Sequence, residues 1–422
     1  MAAPVNLFNI VSAVIAIVAL CGYANARIVR LPDSIGITAV ALLISIATVA
    51  LGAASPAVAR WSQAVAGQID FSALVFHGVL GLLLFAGSLH VNFSALAQSR
   101  WTILTLATLG VVLSTVILGY AFFYAARLLG IPLRLIDCLL FGALISPTDP
   151  IAALSLLRRA KVSPSLLTTI AGEALFNDGV GIVIFTLLLA IATGTESPAP
   201  PHVAALLARE VLGGIAFGLA AGFAGFLLLR SIDSYAVEIL ITLAMATAGY
   251  ALADALGVSA PIATVVMGIV IGNRGQFAMS ELTRERLFTF WDLADDLLNL
   301  LLFGLIGLEL TALAGSALAF AWLAVLSIPI ALAARLVSVA IPSWILRPFG
   351  RFEPGCIRLL TWAGLRGALA IALALSLPTH SAARAPIVTA TYAIALFSTL
   401  VQATTVEPLA RRWTRGDTRA SA

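Results

Sequence analysis

Charge is what this sequence has least of. Only 10% of its 422 residues are Asp, Glu, Lys or Arg, 61% are apolar, and the mean hydropathy is +1.06. That combination excludes a soluble globular domain of this size and points to a polytopic membrane protein. No basic stretch interleaved with aromatics is present, which removes a nucleic-acid role. Cysteine is equally sparse. Cys21, Cys138 and Cys356 lie scattered in or beside apolar runs and suggest neither a disulfide framework nor metal-ligand spacing. No hydrophilic run is long enough for a second folded domain. The expected organisation is one membrane domain over residues 1–411 and a short hydrophilic tail over 412–422. No Lys or Arg precedes the first apolar run, so the basic region of a signal peptide is missing. Although Ala24-Asn25-Ala26 resembles a cleavage site, that run reads as a retained first span.

What the chain does have is apolar runs, at about 5–24, 33–52, 71–90, 101–127, 133–157, 165–193, 202–229, 235–253, 257–272, 292–313, 319–345, 355–377 and 386–410. The expectation is an all-α protein of about 13 transmembrane helices, with its termini on opposite sides. Most of the 24 Lys and Arg residues fall on one side if the N-terminus is outside. Arg60, Arg127, Arg134, Arg209 and Arg384 lie on the other side, and Arg335 and Arg366 lie inside spans. The positive-inside rule then gives N-out, C-in. Twelve spans after an extra first one suit two inverted six-helix repeats, a plan common among transporters. Spans 5 and 12 should each be broken. Span 5 carries Ser146-Pro147-Thr148-Asp149-Pro150, where two prolines remove amide donors and disfavour helix in the residues before them. Span 12 carries Gly364-Leu365-Arg366-Gly367, where glycine weakens the helix. Backbone irregular at this depth is tolerated where it lines a site or is packed in protein. An ordinary proline kink is the alternative for span 5.

The densest polar stretch is Gly172-Glu173-Ala174-Leu175-Phe176-Asn177-Asp178, in the middle of span 6. Glu173 and Asn177 are one helical step of four apart and share a face, with Asp178 about 100° further round. Two acids there cost about 2.5–3.5 kcal/mol each on insertion scales, which favours a use for them. A hydrogen-bonded cluster that only locks the bundle is the bland alternative. Five ionisable residues fall near span centres: Asp149, Glu173, Asp178, Arg335 and Arg366. The two arginines are permanent cations and neutralise two acids. The pairing expected is Asp149 with Arg366 across the broken spans and Glu173 with Arg335, the swapped Glu173–Arg366 arrangement remaining open. Asp178 is left as the acid that binds a proton or a small cation in turn. The Thr148 hydroxyl and carbonyl and the Asn177 amide are candidate oxygen ligands beside it. One proton exchanged for one cation moves no net charge.

These motifs resemble the sodium/proton antiporters of the cation/proton antiporter 1 superfamily, the bacterial sodium/proton exchangers and their animal counterparts. The likeness covers most of the chain: Leu31-Pro32, Thr148-Asp149-Pro150, Gly172 to Asp178, Val237-Glu238, Leu298-Asn299 and Gly364-Leu365-Arg366-Gly367-Ala368. It implies a carrier rather than an enzyme, needing no cofactor beyond transported Na+ and H+. It also implies a homodimer in the cell membrane, with a static dimerisation part and a mobile core interleaved along the chain, moving like an elevator. Ion-binding roles are implied for Asp178, Asn177, Glu173, Thr148 and Asp149, with the cation itself on Asp178 and Thr148. Asn177 before Asp178, in place of a second aspartate, implies electroneutral exchange.

Departures accompany the likeness. Ala174 stands where relatives commonly carry Ser, Leu300 where Ser often follows the Asn, and Phe85-Ala86-Gly87-Ser88 where an acid is frequent. Lithium or potassium in place of sodium stays open. An intramembrane aspartyl protease would need Tyr-Asp and Gly-x-Gly-Asp patterns that Asp149 and Asp178 lack. A channel is the third rival, against which the ordered broken helices speak. Elsewhere, His77, His90, His202 and His380 read as surface or interface residues, with pH sensing the alternative. Glu238 and Glu309 lie near span ends and read as snorkelling or surface residues, with ion funnelling the alternative. The run Trp291-Asp292-Leu293-Ala294-Asp295-Asp296 reads as the interfacial start of a span, with Trp291 in the aromatic belt, and attraction of cations to the inner mouth is the alternative.

Overall fold

The computed structural model describes residues 7–55, 74–309, 319–348 and 355–415. Helix occupies the described part of every apolar run. We number the main helices α1 (Leu7–Ala24), α2 (Asp33–Ala54), α3 (Leu80–Leu89), α4 (Arg100–Leu128), α5 (Leu135–Ile145), α6 (Pro150–Arg159), α7 (Pro164–Thr193) and α8 (Pro200–Arg230). They continue as α9 (Tyr235–Ala255), α10 (Ala260–Arg274), α11 (Glu281–Glu309), α12 (Ala321–Leu346), α13 (Cys356–Trp362), α14 (Ala368–Leu375) and α15 (Arg384–Trp413). Among the described residues, seven helices are long and apolar enough to cross a membrane by length and composition, and several shorter apolar helices accompany them.

The sequence fixes the ends of α7 locally. Ser163 caps its start, the Oγ accepting from Leu166 N at 3.2 Å, and Pro164 occupies the first turn where its missing amide costs nothing. Gly194 closes the helix in the left-handed region at φ 78°. Nothing between those signals stops the helix, so it runs through Glu173, Asn177 and Asp178. Spans 5 and 12 are interrupted where expected. α5 ends at Ile145 and α6 begins at Pro150; α13 ends at Trp362 and α14 begins at Ala368.

Close packing rests on small residues, because lipid offers no hydrophobic drive between helices. Gly214, Gly218 and Gly222 form a buried stripe on α8, one residue every helical turn, facing α10. A Cβ at Gly218 would meet Ala263 O at 2.6 Å, so the backbones approach closely there. The main core joins α5, α6, α7, α12, α14 and α15 through buried residues such as Phe141, Leu157, Phe185, Ala334, Ile371 and Tyr392. A smaller cluster joins Phe85, Met245, Met267 and Trp291. Trp291 is fully buried and donates from Nε1 to Thr242 Oγ1 at 3.0 Å. The aromatic-belt expectation for it is therefore overturned, since α11 starts ten residues earlier, at Glu281.

Candidate ion site

The two breaks meet. Asp149 N donates to Leu365 O at 2.8 Å, an isolated antiparallel bridge between extended segments that no helix satisfies. A Cβ on Gly367 would collide with the Asp149 carboxylate, so glycine is what lets the strands lie this close. Four half-helices thus converge. α5 and α13 bring C-terminal, partially negative ends; α6 and α14 bring N-terminal, partially positive ends. Asp149 directly precedes α6, where a carboxylate is favoured.

Each arginine serves one of the negative ends. Arg366, 4% exposed, donates from Nη1 to Ser146 O at 2.9 Å and Pro147 O at 2.7 Å. Its own amide donates to Ser398 Oγ on α15 at 2.8 Å. These Arg366 Nη1 hydrogen bonds go to backbone carbonyls, where the charge balance pointed to Asp149. The physical reason is that the prolines free those carbonyls in a dry interior, where an unmet acceptor is costly. Arg335 donates from Nη2 to Leu360 O at 3.2 Å at the end of α13. It also forms a two-pronged pair with Glu173, Nη1 to Oε1 at 2.5 Å and Nη2 to Oε2 at 3.0 Å. Both side chains are buried, 8% and 2% exposed.

Asn177 and Thr148 are tied to each other. Asn177 Nδ2 donates to Thr148 Oγ1 at 2.8 Å, and Thr148 N donates to Asn177 Oδ1 at 3.2 Å. This pins the break of span 5 to α7. Glu173 is likewise engaged with Arg335 and away from the cavity lining.

Asp178, Asp149 and Thr148 line one cavity of about 110 Å³, closed on the other side by Leu80, Leu84 and Gly87 of α3 and by α11. Among the described residues, Asp178 has no ion-pair or hydrogen-bond partner. The α11 wall contributes Asn299 and Asp295, the second of which the charge balance had not included. Reading Trp291 as interfacial had moved Asp295 to the surface. The available signal was their spacing of four, which puts both on one helix face. Ala174 is buried and brings no hydroxyl, and Gly87 lines the cavity without a side chain.

Other expectations resolve as follows. Glu238 is fully buried, its Oε1 accepting from Ser234 N at 3.1 Å, so it caps its own helix instead of lying at the surface. The side chain of Glu309, like that of His77, lies outside the described residues. His90 Nε2 lies 3.0 Å from Asp292 Oδ1, joining α3 to α11 at the end of the cavity wall, and His202 pairs with Glu196 at 2.5 Å. The three cysteines are buried, and none forms a disulfide among the described residues.

Interrupted helices crossing beside carboxylates at membrane depth are the plan of a secondary transporter. Within that class, the chain belongs to the sodium/hydrogen exchanger family: the family model "Sodium/hydrogen exchanger, transmembrane" matches residues 15–412. It is 44% identical over 416 residues to the Na(+)/H(+) antiporter NhaP of Pseudomonas aeruginosa, covering 96% of this chain and 97% of that one. It is 31% identical to the Na(+)/H(+) antiporter NhaH of Halobacillus aidingensis, covering 92% of this chain and 94% of that one. The sodium proton antiporter MjNhaP1 of Methanocaldococcus jannaschii, solved at pH 8, shares the fold with a TM-score of 0.73 at 18% identity, covering 96% of this chain and 98% of that one.

Proposed function

We propose that this protein is a secondary antiporter that exchanges sodium for protons, one for one, with both ions competing for Asp178. The observation that carries the reading is that Asp178 faces the cavity free of any partner among the described residues, while Glu173 is held by Arg335. An uncompensated carboxylate at this depth is stable only when it binds something positive. The sodium/proton names of the relatives support these two ions, and the exchange needs no cofactor beyond them. Thr148 and Asp149 complete the site from the break of span 5, with Asn177 holding Thr148 in place. The bias of basic residues supports a cell-membrane protein with its N-terminus outside. In that topology α3 ends and α11 begins at the cytoplasmic side. The likeness of the motifs supports a homodimer with a mobile core.

The test is sodium-driven proton flux in proteoliposomes, for the intact chain and for Asp178→Asn, with lithium and potassium in parallel. Flux with sodium that vanishes in Asp178→Asn is expected. Flux that survives the substitution removes Asp178 from its role, and flux with potassium alone reassigns the cation.

A further inference from the structure

The cavity has two walls, and only one belongs to the crossing. Asp178, Thr148, Asp149 and Gly367 come from α7 and the two breaks. Asp295, Asn299, Leu302 and Phe303 come from α11, which packs on α1, α2 and α3. On that second wall, Asn299 is only 6% exposed. Its Nδ2 donates to Asp295 O at 2.7 Å and Asp295 Oδ1 at 3.1 Å. Both recorded donations go to Asp295, and Asn299 Oδ1 is left without a partner among the described residues, on a side chain that lines the cavity. That oxygen and the carboxylate steadied next to it make a pair of hard oxygen ligands at the cavity wall. The charged groups around Asp295 are Asp292 and Asp296 on its own helix, His90 on α3 (already paired with Asp292) and, across the cavity, Asp149 and Asp178. Among the described residues, no Lys, Arg or His lines this cavity to satisfy Asp295.

We propose that Asp295 and Asn299 form a second cation-binding station, which takes the ion from one face of the membrane and hands it to Asp178. This rests on the exchange reading above. It carries a consequence that the Asp178 site alone does not. The pair stands on the α11 wall, and the crossing carries Asp178. Once the crossing has moved to release its ion on the far side, Asp295 no longer shares a cavity with it. Asp295 therefore raises sodium affinity from the cavity-open face only.

The experiment measures the sodium concentration giving half-maximal proton exchange, from each face, in right-side-out and inside-out membrane vesicles. Asp295→Asn should raise it about tenfold on the face to which the cavity opens, the size of one lost charge-assisted contact, and leave the other face as in the parent. An equal rise on both faces, or none, overturns the proposal. Gly87→Asp covers the case in which Asp295→Asn fails to insert, because a side chain at Gly87 enters open space at the same cavity. It should lower the half-saturating concentration on that face alone and reverse the effect of Asp295→Asn when combined with it. No change in either background overturns the proposal as well. If the parent shows no sodium-driven proton movement, the exchange reading itself fails. If the parent shows it and only the sidedness is absent, the second station alone is lost.

Discussion

Burial makes Glu173 and Arg335 costly to separate and of little net benefit to bring together. Two charges taken from water lose several kcal/mol each, which their two-pronged contact and the bond to Leu360 O offset. Removing one partner is a different matter. Glu173→Gln leaves a permanent cation buried, at a cost of about 3–5 kcal/mol. Thermal unfolding in detergent should show a clear drop for Glu173→Gln and for Arg335→Met, and a much smaller drop for the double variant. Equal additive losses would mean that the two residues act separately. Arg335→Lys should also fail, because an ammonium cannot span both carboxylate oxygens and the helix end. Asp178→Asn is expected to do the opposite and leave unfolding unchanged or raised, since it removes a carboxylate that shares its cavity with Asp149 and Asp295. At this scale the sequence was readable where charges must balance. Glu173 and Arg335 were among the few candidates for each other. The target of Arg366 was not readable, because a backbone carbonyl has no letter of its own, and neither was the Asn177–Thr148 tie that occupies the amide.

The breaks are the elements on which the site depends, and each has its own chemistry. In span 5, Pro147 and Pro150 stop the helix and left a signal that could be read directly. In span 12 the signal was weaker, because glycine permits a break without requiring one. What requires it is the partner: Asp149 N reaches Leu365 O, and Gly367 has no room for a methyl group beside the Asp149 carboxylate. Gly367→Ala should therefore push Asp149 out of place while every helix persists. The expected outcome is loss of sodium-driven flux with unchanged far-ultraviolet circular dichroism. Retained flux would show that the crossing tolerates a displaced Asp149. Helix positions were legible over the described residues, since the described part of each apolar run carries helix. Which face of α11 turned inward was not. Its run of Trp291, Asp292, Asp295 and Asp296 mixes one fully buried side chain with half-buried and exposed ones, so polarity alone misplaced Trp291 and with it Asp295.

For the molecule as a whole, the question is how much charge crosses per cycle. If Asp178 alone alternates between sodium and proton, the mobile part carries the same charge in both directions. The membrane potential, worth about 2.3 kcal/mol per elementary charge per 100 mV, then does no work on it. The structure gives this prediction an edge, because Asp149 and Asp295 line the same cavity. If either one exchanged protons in step with Asp178, two protons would move against one sodium ion and the rate would follow the potential. The backbone bridge at Asp149 and the position of that residue at the start of α6 tie it to the crossing of the two breaks. Asp295 sits on the wall outside the crossing and so does not travel with Asp178. Proteoliposomes with equal pH and equal sodium on both sides, and a potential imposed by a potassium gradient with ionophore, provide the measurement. The expected result is that the interior pH stays flat. A pH change that reverses when the potential is reversed would mean that a second carboxylate titrates in the cycle. Repeating the experiment with Asp149→Asn and Asp295→Asn would then identify which one by the loss of that response.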